Sequence, residues 1–240
     1  MAITRILKPI FRRSWFILTL ALLGGIFSVF IHQTPSSPIL QHLRPPPSSA
    51  QKQHRYVITG GPGVGKTSII RCLQNQGYHV VGEAATDVIR NALDRGIEKP
   101  WDKDHKSDFN DEILELQYRR QNEVPDTGLV FFDRSMIDTL TYALIPMGGT
   151  KSLKTMTDKV QSVIDNHYYN TTVFFIDNLN GCENTEIRHE NLKQLQSIEH
   201  HLKQSYQALG YKVVHITRDT IENRAKQILS HIDASQAAFK

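Results

Sequence analysis

The string Gly60-Gly-Pro-Gly-Val-Gly-Lys66-Thr67 limits what this chain can fold into more than any other stretch. It satisfies G-x-x-x-x-G-K-[ST], and it lies between the apolar run 56–59 and a helical pattern over 66–75. Each residue type there has a physical reason. Glycines let backbone N–H groups wrap a phosphate without side-chain collision, and the N-terminus of the following helix adds donors and partial positive charge. Gly60, Gly61, Pro62, Gly63, Val64, Gly65, Lys66, Thr67 and Ser68 are therefore the expected nucleotide-binding residues. Lys66 is placed to bridge the β- and γ-phosphates and the Thr67 hydroxyl to hold Mg²⁺. A tight strand–helix turn carrying a chance lysine is the bland alternative.

The rest of the chain repeats the alternation that the loop begins. Apolar runs at 78–82, 128–133, 172–177 and 212–217 read as strands. Helical patterns are expected over 84–94, 108–122, from 134 to about 144, over 160–166 and over 190–209, with Gly210 as a stop and Asp219 capping a last helix. Continuous apolar strands separated by helices predict a three-layer α/β/α fold around a mainly parallel five-stranded sheet.

Asp133 closes the apolar run "LVFFD", a position that suits a Walker-B carboxylate holding Mg²⁺. Asp133 or Ser135 could instead open the next helix as a cap. The following residue is Arg134, where many motor-type ATPases carry a glutamate that polarises water. A cation beside the phosphates favours stabilising a transferring phosphoryl group, which leans toward a kinase. Glu83, at the exit of the second strand, faces the same rim and could accept a proton from an acceptor hydroxyl, or could cap the helix that follows. Arg188, in the polar stretch 178–190, reads either as a lid cation or as a solvated loop residue. Arg218 and Arg224 are weaker candidates, and the scattered histidines, His200 and His201 among them, show no metal spacing.

With those residues in place, the chain resembles a small AAA-like P-loop family that includes the ribosylnicotinamide kinase domain of the bacterial NAD regulator NadR. The pieces that carry the resemblance are "VITGGPGVGKTS", "GYHVVGEAATDVI", "VFFDRSMIDTLTYA", "LKQSYQALGYKVVHIT" and "IENRAKQIL", which together cover most of residues 56–230. "DRS" also resembles the Asp/Glu-Arg-Ser of deoxynucleoside kinases. The resemblance implies an ATP-binding domain with Lys66, Thr67 and Asp133 in nucleotide and Mg²⁺ roles. It further implies Glu83, Arg134 and Arg188 as acceptor or lid residues. The chain departs from that family in its N-terminal apolar segment and linker, and it lacks the nucleotidyltransferase and DNA-binding portions of NadR.

Charge supports the separation of the N-terminal part. The net charge of +4 suggests a polyanion partner, but the first acidic residue is Glu83, while seven basic residues precede Tyr56. What remains has 21 bases against 24 acids, so no nucleic-acid-binding face is expected. Residues 15–31 carry no charge and follow Arg5, Lys8, Arg12 and Arg13, which predicts a single-pass membrane anchor within 1–33. A cleavable signal peptide and a transit peptide are the rivals. Residues 34–54 hold half of the ten prolines and are expected to form an extended spacer without a helix, ahead of a nucleotide-binding domain over 55–240. Sidedness is open, with the need for ATP favouring cytosolic exposure. Two cysteines, Cys72 and Cys182, form no disulfide framework and read as packing residues.

The expected function is that of a membrane-tethered, Mg²⁺-ATP-dependent phosphotransferase acting on a small hydroxyl-bearing acceptor such as a nucleoside. The alternative is a tethered ATPase or nucleotide switch that recruits a partner. A guanine-reading N-K-x-D string is absent, which argues against an ordinary GTPase, and the chain is short for a hexameric motor with a helical lid domain.

Overall fold

The computed structural model of the protein describes residues 38–46, 54–102, 105–145, 149–178 and 192–237. The expected anchor over 15–31, Cys182 and Arg188 lie outside the described residues. The first described element corrects an expectation. Within the proline-rich stretch, Pro38–His42 forms a short helix, α1. Proline is tolerated in a first helical turn, where its missing N–H costs no bond. Leu40 then enters the core and Arg44 pairs with Asp165 at 2.6 Å, so this part of the stretch packs on the domain.

Five strands make one sheet: β1 (Arg55–Thr59), β2 (His79–Val81), β3 (Val130–Asp133), β4 (Thr172–Ile176) and β5 (Lys212–Ile216). Their order is β2-β3-β1-β4-β5 and every pairing is parallel. The helices between them are α2 (Lys66–Asn75), α3 (Ala84–Asp94), α4 (Lys106–Gln121), α5 (Met136–Leu144), α6 (Leu153–Asp165) and α7 (Leu192–Ala208), with α8 (Ile221–Ala237) last. Helix α6 starts seven residues before the 160–166 pattern, because Ser152 caps it by accepting from the Thr155 amide. Thr220 rather than Asp219 caps α8, its hydroxyl accepting from the Asn223 amide at 3.2 Å.

Strand side chains alternate between the two faces of the pleat. Val57, Val130, Phe132 and Val173 join a core with Met136, Leu140, Val160 and Tyr206. Tyr56, Ile58, Phe131, Phe174 and Ile216 join a second core with Ile69, Leu73 and Ile228. Helices thus cover both faces, and the expected three-layer α/β/α fold is the observed one. Parallel strands leave all their carboxyl ends on one rim, where ligands of such sheets bind.

Candidate active site

Three of those carboxyl ends build the centre of the rim. After Thr59 the chain turns through Gly60, whose φ of 140° is closed to most L-residues, and a Cβ there would meet the Ile176 carbonyl oxygen at 2.7 Å. Gly65 precedes α2 in the left-handed conformation and supplies no side-chain cap. The amides opening α2 are therefore not satisfied by a cap of their own sequence, which is what an anion-binding turn requires. Lys66 is buried, and its Nζ donates to the carbonyls of Gly60 at 3.2 Å and Gly61 at 2.7 Å, closing the loop on itself.

Arg224 braces the loop from below. Its Nη1 donates to the Val64 carbonyl and its Nη2 to the Asp177 carbonyl, both at 3.0 Å, so α8, the loop and the end of β4 are tied by one side chain. The carboxylate of Glu199, on α7, sits against Gly61. A Cβ at residue 61 would fall 2.5 Å from its Oε1, so a larger residue there would have to push the Glu199 side chain aside. Burial, and then the nearby Asp177 charge, push the Glu199 pKa up.

Asp133, at the end of β3, is 3% exposed. Its Oδ2 accepts from the Thr67 hydroxyl at 3.3 Å, whereas Oδ1 is buried without a partner among the described residues. Burial pushes its pKa up to about 6 against the opposing pull of Lys66. A hard divalent cation such as Mg²⁺ takes oxygen ligands and uses only one or two from the protein beside phosphates. The unpartnered Oδ1 and the adjacent hydroxyl fit that demand. No group of three or more His, Cys, Asp or Glu that could hold a metal occurs among the described residues.

Arg134 has a left-handed backbone, φ 70°, a conformation that costs a non-glycine residue about 1–2 kcal/mol. Its amide is anchored on the Ile58 carbonyl at 3.1 Å. The bend delivers the guanidinium to Glu83, with Nε donating to Oε1 at 2.8 Å, and over the Tyr142 ring at 5.2 Å. Burial opposes its charge, but Tyr142, Glu83 and Asp138 outweigh it and hold its pKa well above the ordinary arginine value. Glu83 occupies the cap position of α3 without making a cap bond, its other oxygen accepting instead from Thr86 at 3.0 Å. Ser135 does cap α5, in a reciprocal box with Asp138.

The structure therefore brings Lys66, Thr67, Asp133, Arg134 and Glu83 to one rim. Sequence reading missed Asp138, Glu199 and Thr59, and it undervalued Arg224. The Ser135-x-x-Asp138 box was visible as a pattern, but the others meet the site only through tertiary contacts. A cleft of about 370 Å³ between α3 and α4, lined by Val88, Asn91, Asp111, Glu112, Glu115 and Lys151 among others, includes no residue of the phosphate loop.

A family model described as an AAA domain matches residues 55–224, and the chain belongs to that family of P-loop domains. No curated protein matches the chain. Among solved structures, deoxyadenosine kinase from M. mycoides with dCMP and dCDP aligns at 12% identity and a TM-score of 0.56, over 75% of this chain and 99% of that one. NadR in complex with NR aligns at 17% identity and 0.53, over 80% and 52%. NadR with NAD and AMP-PNP aligns at 16% and 0.50, over 82% and 51%. The chain thus spans about half the length of the NadR structures. At these identities the likeness is one of fold.

Proposed function

We propose that the protein is a Mg²⁺-ATP-dependent phosphotransferase whose acceptor is a small hydroxyl-bearing molecule of the nucleoside class. One observation carries this reading: the carboxylate that fits Mg²⁺, Asp133, is followed by a buried arginine paired to a second carboxylate, Glu83, rather than by a water-activating acid. Lys66 and the amides of residues 60–68 hold the triphosphate. Thr67 and Asp133 hold Mg²⁺, which offsets charge on the phosphate oxygens when bound. Arg134 faces the transferring phosphoryl group, and Arg188 is assigned to the same group from sequence alone. The acceptor oxygen attacks the γ-phosphorus, its proton passes to Glu83, and ADP leaves. That one fold neighbour is a deoxyadenosine kinase and another is NadR in complex with NR supports this substrate class.

Release of ADP from ATP is the test, measured across a panel of nucleosides and related alcohols with Lys66→Ala as control. Acceptor-dependent ADP supports the reading, and equal turnover with and without every acceptor overturns it. We further place the domain over 55–240 on a membrane through residues 15–31; its sidedness is open, with the need for ATP favouring cytosolic exposure. No described helix is long and apolar enough to cross a membrane, so this placement rests on the sequence. Release of the full chain from membranes by alkaline carbonate would overturn it.

A further inference from the structure

Behind Arg134 lies a second carboxylate that the reaction does not touch. Asp138 is completely buried. Five donors converge on it: the Thr59 hydroxyl, the Ser135 amide at 2.9 Å, the Ser135 hydroxyl at 3.1 Å, the Tyr206 hydroxyl, and Nη1 of Arg134 at 3.4 Å. The donors come from three separate places and the acceptor from a fourth. Thr59 immediately precedes the phosphate loop, Arg134 and Ser135 form the bend after β3, Asp138 belongs to α5, and Tyr206 to α7. The Tyr206 ring is fully buried and packed edge-on against Tyr211 at 5.6 Å, and its oxygen also lies 2.6 Å from the Ser135 hydroxyl. Its orientation is fixed by packing.

Packing alone would be served by phenylalanine at 206, and capping of α5 alone by Ser135 with an uncharged partner. What the hydroxyl and the charge add is a held guanidinium. Arg134 is shared between Glu83 on one side and Asp138 on the other, so the position of its Nη2 depends on both carboxylates. Helix α7 reaches the rim a second time through Glu199 against Gly61, seven residues or about two turns before Tyr206. The same helix therefore touches the phosphate loop and the device behind Arg134.

We propose that Tyr206 and Asp138 are positioning residues for phosphoryl transfer. Tyr206 fixes the Asp138 carboxylate, Asp138 and Glu83 together aim Arg134 at the phosphoryl group, and the seat of α7 thereby sets the reactivity of the rim. This rests on the phosphotransferase reading above. Tyr206→Phe removes one hydroxyl and keeps the ring. In the full chain it lowers kcat about tenfold, the scale of one hydrogen bond to a charged group, and leaves KM for ATP within about twofold. In an Arg134→Lys background the same change has no further effect on kcat, because the group it acts through is gone. A merely structural tyrosine would instead lower kcat equally in both backgrounds, or not at all, and either result overturns the proposal.

A second readout separates this from the choice of acceptor. Binding of ADP with magnesium is compared with and without tetrafluoroaluminate, a mimic of the phosphoryl in flight. Wild type tightens when the fluoride is added, and Tyr206→Phe and Asp138→Asn lose most of that tightening while binding ADP alone as before. If no acceptor is ever turned over but the fluoride effect depends on Tyr206, the phosphotransferase reading fails and the positioning role stands. If wild type shows no fluoride effect, or the variants keep it in full, the positioning role fails. Asp138→Asn gives an independent arm should Tyr206→Phe not fold.

Discussion

Asp133 and Asp138 stand on either side of Arg134, one at the end of β3 and one on α5, and both are withdrawn from water. They are treated in opposite ways. Asp138 has five donors around it and no oxygen without a partner. Asp133 has one hydroxyl on one oxygen and nothing on the other among the described residues, and burial pushes its pKa up to about 6. A buried charge left incomplete costs stability, and native folds retain few of them. The saturated carboxylate is part of the scaffold and aims a neighbour. The incomplete one stands at the mouth of the phosphate loop, where a ligand can complete it.

The largest expected effect lies on the Asp133 side. Lys66→Ala lowers ATP turnover about 100- to 1,000-fold, as removal of other preorganised donors does, measured as ADP release. Asp133→Asn follows at about 100-fold, with the loss concentrated in the magnesium-dependent part of the rate. Stability then divides the two carboxylates by sign. Asp138→Asn lowers the unfolding free energy by about 1–3 kcal/mol in urea titration, because donors shaped around an anion lose their partner. Asp133→Asn raises it by about 1 kcal/mol, since it relieves a charge buried without full compensation. Equal signs for the two variants would break the contrast.

The smallest effect concerns alkaline pH. Burial, and then the Asp138 charge, push the Tyr206 phenol well above its ordinary value of 10.0. The unfolded chain loses that proton first, so stability present below about pH 10 is lost as pH rises beyond it. Tyr206→Phe starts less stable at neutral pH and loses less between about pH 10 and 11. Parallel curves for the two proteins would show that burial and the Asp138 charge do not hold the Tyr206 proton in the folded state.

How far the sequence foretold these two regions follows from the range of their contacts. The phosphate loop, Thr67 and Asp133 sit at fixed offsets from strand ends, so motif and context located them, and helices α2 and α3 were bounded to the residue. Glu83 and Arg134 were each found, but their direct pairing was not, because it joins two strand exits 51 residues apart. Thr59 and Tyr206 meet Asp138 across 79 and 68 residues, and neither residue type advertises a site on its own. Arg224 reads only as a weaker candidate in the sequence, because what sets it apart is its burial under the loop. The short helix α1 was hidden by prolines that discourage helices in general but not at a first turn. Leu40 is the residue whose burial overrides that composition.

The most direct test of the central claim is calorimetric titration of ATP into the full chain and into Asp133→Asn, each with magnesium and with EDTA. The account predicts that wild type binds at least about tenfold more tightly with magnesium, the scale of one charge-assisted contact, and that Asp133→Asn binds at one weak affinity in both conditions. An Asp133→Asn protein that keeps the full magnesium dependence of wild type would contradict it.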